Sequence, residues 1–384
     1  MSTQLPMFDF GIKDEIEQSE NPKYTSHQLI TYIGNKRGLT EPLEQAAWDV
    51  RERLGGRTLR TLDLFSGSGF VSRLFKKHSS LIAANDLENY ARAASECFLS
   101  NRDQKLLAEA AEVVDRLNAA ATSGASREGF IRELYSPVDD QDIQLGERVF
   151  YSNDNARRLD FYAQEIQELR PELRKLLLGP LLSKASIHAN TGGVFKGFYK
   201  DKNTGIGKFG AAAGDATSRI LAPIELEVPV MSLFKTEVEV SQRDANELVA
   251  DTHEFDLIYM DPPYNQHPYG SNYFMLNLLT DYMRPTDVSR VSGIPTDWNR
   301  SGFNVRKQAF GLLADLFERA PARFLLISFN SEGYVSTEEI RGELEKHGKV
   351  DEVIVKYNTF RASRNLQDRD IHVNEHLFLL DRNN

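Results

Sequence analysis

The apolar positions follow two periods along the chain, and the switches between them outline the fold. "RTLRTLDLFSGSGF" (Arg57–Phe70) reads as a strand entering a glycine turn, "VSRLFKKH" as a helix, "LIAAND" (Leu81–Asp86) as a second strand and "LENYARAASECFLSNR" as a second helix. That order implies a parallel sheet. The period then changes. Residues Asp103 to Leu117 are Ala- and Glu-rich and helical, and "ATSGAS" (Ala121–Ser126) ends them. "YSNDNARRLDFYAQEIQELR" (Tyr151–Arg170) predicts a helix capped by Ser152 or Asn153. "LRKLLLGPLLSKA" predicts another, broken at Gly179-Pro180, and the glycine-rich run His188–Gly214 predicts a loop. Strand patterning returns in "TEVEVSQRDA" (Thr236–Ala245), "DLIYM", "FLLISFN" (Phe324–Asn330), "VDEVIVKYN" and "EHLFLLD" (Glu375–Asp381), with a helix in "STEEIRGELEKHG". The expectation is an α/β protein whose Rossmann-like sheet is split by a mainly helical and loop-rich insert. Residues 1–23 form a polar, acidic arm, 24–100 and 233–384 the sheet domain, and 101–232 the insert.

Composition narrows the class. Of 384 residues, 41% are hydrophobic and 27% charged, which is ordinary for a globular chain with a sizeable core. No apolar run approaches the roughly 20 residues of a membrane helix, and the start lacks a secretory pattern. The single cysteine, Cys97, cannot form an internal disulfide and is expected to pack as a small apolar group. A reducing, cytoplasmic setting follows. Nucleic-acid binders carry a basic footprint, so a formal net charge of −10 means that any such footprint must be local.

Two stretches carry chemistry. Phe65-Ser66-Gly67-Ser68-Gly69 lies between a strand and a helix, where glycines let the backbone approach a ligand closely. Asp86 ends the next strand, the position from which an acid bonds ribose hydroxyls. The same glycines could serve only a tight turn, and the full G-x-G-x-x-G of dinucleotide binders is absent. The second stretch is "DLIYMDPPYNQHPYGSNYF" (Asp256–Phe274). Prolines cannot continue a central strand, and the residue before a proline is extended. Asp261-Pro262-Pro263-Tyr264 therefore reads as a stiff strand exit that holds a carboxylate, a carbonyl and an aromatic ring in fixed relation. That set suits a planar ligand with a polar edge. In a parallel sheet, strand ends line one edge, so Asp63, Asp86, Asp244 and Asp261 are expected to gather there. For Asp244 the competing reading is an ordinary helix N-cap.

D-x-F-x-G-x-G, then N-D, then D-P-P-Y, resembles the S-adenosylmethionine-dependent amino-methyltransferases that act on adenine in DNA. "YIGNKRGL" (Tyr32–Leu39) resembles that family's additional cofactor motif. Its place before the glycine loop, with a long insert before D-P-P-Y, matches the α-group order, in which the insert is the target-recognition region. "LLISFNSEGY" and the stretch with Tyr357 and its arginine-bearing loop resemble later motifs. The resemblance covers residues 24–100 and 234–384 and implies a Rossmann-like class I methyltransferase sheet. It also implies a role for each matching residue. Tyr32, Gly34 and Lys36 would meet the methionine end of S-adenosyl-L-methionine. Asp63, Phe65, Gly67 and Gly69 would surround the cofactor's backbone and adenosine. Asp86 would hold the ribose and Asp244 the cofactor adenine, while Asp261, Pro262 and Tyr264 would hold the target adenine. No metal and no covalent nucleophile is expected.

Double-stranded DNA as partner calls for cations, and "NTGGVFKGFYKDKNTGIGKFG" supplies them. Lys196, Lys200, Lys202 and Lys208 alternate with glycines and with Phe195, Phe198 and Tyr199, a mix suited to phosphate contacts. Arg361 and Arg364 form a second group, and Trp298, Arg300, Arg306 and Lys307 a third. Solvated lysines on a loop are the bland alternative. The expected activity is methylation of the exocyclic amino group of adenine at a specific DNA site, with a cognate restriction endonuclease as a further partner. The rivals are an RNA base methylase, commonly shorter between glycine loop and D-P-P-Y, and a catalytically silent nucleic-acid-binding module.

Overall fold

The computed structural model describes residues 19–26, 29–211, 216–330, 333–358 and 372–383. Seven strands form one sheet: β1 (Leu59–Asp63), β2 (Ser79–Asp86), β3 (Glu237–Gln242), β4 (Phe255–Met260), β5 (Ala322–Asn330), β6 (Lys349–Asn358) and β7 (His372–Asp381). Their order across the sheet is β3-β2-β1-β4-β5-β7-β6. β1 to β5 pair in parallel, and β7 runs antiparallel between β5 and β6. The chain winds outward from β1 through β2 to β3, then crosses over to β4 on β1's other side. Order therefore reverses between β1 and β4, and ligands of such sheets bind at that reversal.

Alternating side chains give the sheet two apolar faces. On one, Leu62, Ile258, Leu325 and Phe378 pack against the helices Ala245–Asp251, Arg306–Arg319 and Thr337–Leu344. On the other, Ile82, Leu257, Phe324 and Leu377 pack against Thr40–Arg53 and Phe70–Lys76. Among the described residues, no helix is long and apolar enough to cross a membrane.

Helices Gln104–Thr122, Phe130–Tyr135, Asn153–Gln167, Pro171–Ile187 and Thr217–Leu221 lie in the chain between helix Asn89–Phe98 and β3. The first four of them share a third apolar core with Tyr90, Cys97, Tyr273 and Phe274. Ser152 caps its helix by accepting the Asn155 N–H at 3.2 Å. One expectation needs correction, because Pro171–Ile187 runs through Gly179-Pro180 unbroken. Pro180 cannot donate to the Leu176 carbonyl one turn back, and the Cys97 thiol takes that place, Sγ to O 3.1 Å. Gly179 makes room for it, since a Cβ there would sit 2.6 Å from Cys97 Sγ. The described part of the glycine-rich run is a loop, as expected, with one bridge in it. Lys200 and Gly207 form an antiparallel bridge, with the Lys208 N–H on the Tyr199 carbonyl at 2.9 Å. Near the start of the chain, Pro22–Ser26 is helical and its Tyr24 is buried, donating to the Phe98 carbonyl at 2.7 Å. Most of the expected arm, residues 1–18, lies outside the described residues.

Candidate active site

Register across β1 and β4 builds the site. Asp63 stands opposite Tyr259, and the Leu64 N–H donates to the Tyr259 carbonyl at 3.0 Å. The loop leaving β1 and the Asp-Pro-Pro-Tyr exit of β4 therefore emerge side by side. Between them opens a cleft lined by Tyr32, Phe65, Asp86, Asp244, Asp261 and Phe303, among others.

The glycine loop is tied to Asp86. One Asp86 oxygen accepts the Gly67 N–H at 2.7 Å and the other the Glu88 N–H at 2.9 Å. Burial pushes the Asp86 carboxyl up to about 6, against the pull of these N–H groups. Gly67 has φ 51°, and a Cβ on it would lie 2.9 Å from the Tyr32 ring. Only glycine fits that approach. Gly69, with φ 72°, precedes the helix Phe70–Lys76. Tyr32, Tyr269 and Tyr273 form a triangle of near-parallel rings, with Tyr32 5.1 and 4.8 Å from the other two centroids and those two 6.0 Å apart. The Ile33 N–H donates to the Tyr273 hydroxyl at 2.8 Å, which ties this upstream segment to the stretch that follows Asp-Pro-Pro-Tyr. At Gly34 (φ 74°) a Cβ would lie 3.5 Å from the Tyr269 hydroxyl and 3.8 Å from that of Tyr264.

Each expected acid has its own setting. Asp244 is both an N-cap, accepting the Asn246 and Glu247 N–H groups at 2.9 and 3.2 Å, and part of the cleft wall. The two readings of it are compatible, because one oxygen makes both bonds. Asp63 does not line the cleft. It is buried at the end of β1, where Ser72 Oγ donates to it at 2.5 Å. Its Oδ1 has no hydrogen-bond partner among the described residues. Burial first, eased by Ser72, moves its carboxyl up to about 7. Asp261 is 20% exposed at the cleft and lies 3.0 Å from Lys36 Nζ. Burial raises its carboxyl and the Lys36 ammonium pulls it back, leaving it at about 6. At neutral pH it is mainly a carboxylate and so a hydrogen-bond acceptor. Pro262 is buried. The Tyr264 ring meets Phe329 edge-on at 5.9 Å, and its carbonyl accepts the Tyr334 N–H at 2.9 Å.

Lys36 does not stand on the cleft wall. It is 4% exposed and pairs with Glu375 as well as Asp261. Glu375 and Glu88 escaped the sequence reading. Glu88 lines the cleft, accepts from Asn277 Nδ2 at 2.6 Å and is pushed by burial up to about 7. Phe303, edge-on to Phe65 at 5.4 Å, and Asn299 on the Leu87 carbonyl at 3.0 Å complete the wall. Glu88 sits just past Asp86, and its signal in the sequence is that of a second acid at the same strand end.

Of the expected basic residues, Lys196, Lys200 and Lys202 are exposed and Lys208 is partly so. Lys200 packs over the Phe198 ring at 4.7 Å. The Lys196 carbonyl accepts from Ser292 Oγ at 2.6 Å. Burial first, and the Lys196 ammonium second, keep the His267 imidazole below its usual range. Arg361 and Arg364 lie outside the described residues. Arg300 lies over the Trp298 ring at 4.3 Å and Arg306 over Tyr334 at 5.1 Å.

Comparison with known proteins agrees with this geometry. Residues 32–291 match the family described as D12 class N6 adenine-specific DNA methyltransferase. The chain is 28% identical to the Type II methyltransferase M.NlaIII of Neisseria lactamica, over 92% of this chain and 99% of that one. It is 27% identical to M.CviAII of Paramecium bursaria Chlorella virus 1, over 91% and 98%. M.FokI of Planomicrobium okeanokoites is 23% identical over 92% of this chain but only 53% of its own length. The chain is thus an enzyme that methylates adenine in DNA at specific sites, and it belongs to the D12 class of N6 adenine-specific DNA methyltransferases.

Proposed function

We propose that the methyl donor is S-adenosyl-L-methionine and that the cleft holds it against a target adenine flipped out of the duplex. The observation that carries this reading is the acidity of the wall: Asp86, Glu88, Asp244 and Asp261 all line it. A donor with a sulfonium, an ammonium, ribose hydroxyls and an adenine amino group offers charge and hydrogen-bond donors to match those acids. When bound, the cofactor supplies a methyl group as an electrophilic carbon on sulfur.

The chain's own residues do the rest. Tyr32, Gly34, Phe65, Gly67 and Gly69 surround the donor; Asp86 takes its ribose and Asp244 its adenine. The amino nitrogen of the target adenine is a poor nucleophile, because its lone pair is delocalised into the ring. The Asp261 carboxylate and the Pro262 carbonyl each accept a hydrogen bond from that amino group. This favours the pyramidal nitrogen of the transition state, where preorganised acceptors have most effect. The donor would supply its methyl carbon to that nitrogen and keep the former C–S pair on its sulfur. The surplus proton on nitrogen leaves by way of Asp261, which is partly open to water. Tyr264 stacks on the base. Flipping costs a few kcal/mol, and stacking returns about 1–3 kcal/mol.

Residues 101–232 are proposed as the target-recognition region, with Lys196, Lys200, Lys202 and Lys208 on the phosphates, joined by Arg361 and Arg364. The kinship with Type II methyltransferases supports a cognate restriction endonuclease as partner. A DNA substrate and a buried free Cys97 support a reducing cytoplasm.

Two measurements test this. By calorimetry, wild type binds S-adenosylmethionine, and Asp86→Ala binds it at least about tenfold more weakly (about 1.4 kcal/mol) while remaining folded. Unchanged affinity would remove Asp86 from the cofactor site. In DNA titrations across salt, neutralising Lys196, Lys200 and Lys202 together weakens binding to every sequence and flattens the slope by up to about three units, roughly 0.9 per lost phosphate contact. A wild-type slope would place the phosphate contacts elsewhere, and tighter binding to RNA than to duplex DNA would favour the RNA rival.

A further inference from the structure

Glu375 is fully buried on β7, away from the cleft wall. Its strand neighbours of the same parity, Leu377 and Leu379, face the apolar core with Phe324. A carboxylate at such a position costs several kcal/mol unless paired, and an apolar residue would serve packing better. Its partners show what it does. Ser328 Oγ donates to it at 2.5 Å, Asn330 Nδ2 at 3.4 Å, and Lys36 Nζ lies 2.8 Å from its Oε1. The same Nζ lies 3.0 Å from Asp261 Oδ1. One buried ammonium thus bridges the upstream segment, the β4 exit and the antiparallel strand.

We infer that Glu375 is a positioning residue for methyl transfer: by anchoring Lys36 it fixes where Asp261 presents its carboxylate to the amino group, and it shares the one cation that Asp261 would otherwise hold alone. This rests on the reading of Asp261 as the acceptor of that amino group. Anchoring matters because a long lysine side chain between two carboxylates loses its rotamer freedom, and Asp261 is thereby held at its place on the cleft. Sharing matters because a carboxylate bound to an undivided ammonium is a weaker acceptor for a substrate N–H. Among the described residues, Lys36, Glu375, Asp63, Tyr259 and Tyr269 interact electrostatically with Asp261, and Tyr264 with Lys36 and Tyr269. Lys36 alone of these is a cation, and it lowers the Asp261 carboxyl while Glu375 raises it. Methylation therefore has an acid limb that rises as Asp261 ionises near pH 6, and its two neighbours shift that limb in opposite directions.

The test compares kcat, KM and pH–rate profiles for wild type, Glu375→Gln, Glu375→Asp, Lys36→Met and Asp261→Ala, with melting curves for each. Glu375→Gln keeps the shape but releases Lys36 to Asp261, so its acid limb moves to lower pH. Lys36→Met moves it to higher pH. Glu375→Asp keeps the charge but withdraws the anchor, and kcat falls about 10- to 100-fold, as small misplacements do, with both KM values little changed. Wild-type kcat and limb in Glu375→Gln and Glu375→Asp, with Asp261→Ala inactive, would overturn the inference alone. Wild-type turnover in Asp261→Ala would instead overturn the reading beneath it. Loss of fold in both Glu375 variants would assign the residue to stability and overturn the inference too.

Discussion

Asp261→Ala is expected to lower the single-turnover methylation rate about 10²–10³-fold, the loss typical of a transition-state hydrogen-bonding group, while DNA and cofactor affinities stay within a few-fold. The separation follows from where the carboxylate sits. Asp261 is 20% exposed at the cleft and anchored from behind by Lys36, so it is presented to a ligand without having to be rearranged. Its hydrogen bond to the amino group strengthens as the nitrogen pyramidalises, and an interaction that grows toward the transition state appears in rate more than in affinity. The alanine variant also leaves Lys36 with Glu375 as its remaining carboxylate, so the ammonium stays paired and the fold is retained.

Tyr264 should separate from Asp261 in both kind and degree. Tyr264→Ala removes a stacking surface worth about 1–3 kcal/mol, which is roughly 5- to 150-fold in retention of the flipped base. Tyr264→Phe keeps the ring and should keep most of the activity. Phe329 meets the ring edge-on and the Tyr334 N–H holds the Tyr264 carbonyl, so the backbone is fixed independently of the phenol. With 2-aminopurine at the target position, wild type raises fluorescence as the base unstacks, less whatever stacking on Tyr264 quenches. Tyr264→Ala changes that signal and Asp261→Ala largely preserves it. Identical titrations for wild type and Tyr264→Ala would remove the ring from the base pocket.

What could be read from sequence and what could not divides along contact range. Period-2 and period-3.6 patterning is local, so strands such as Leu81–Asp86 and Phe324–Asn330 were legible almost to their ends, and β2 and β5 begin only two residues earlier. The glycine loop and the Asp-Pro-Pro-Tyr exit were legible because backbone chemistry constrains glycine and proline wherever they occur. Long-range pairing was not. Nothing near Pro180 announces that Cys97, on another helix, will take the carbonyl that the proline leaves bare. Nothing near Lys36 announces Glu375, and the resemblance placed that lysine on the cofactor rather than on two carboxylates. A trace of Glu375 was there to find: an acid in step with Leu377 and Leu379 on a core-facing strand must be paired. The Tyr32–Tyr269–Tyr273 triangle likewise joins segments far apart in the chain.

If this cleft activates an exocyclic amino group, the fate of a labelled methyl group reveals it. Wild-type enzyme, methyl-labelled S-adenosylmethionine and unmethylated duplex DNA are reacted for a single turnover, and the nucleosides are separated by mass spectrometry. The label is expected in N6-methyladenine at one sequence-defined position. Label on a ring nitrogen of adenine or on carbon 5 of cytosine would contradict it, because neither product requires the amino-group acceptors that Asp261 and Pro262 provide.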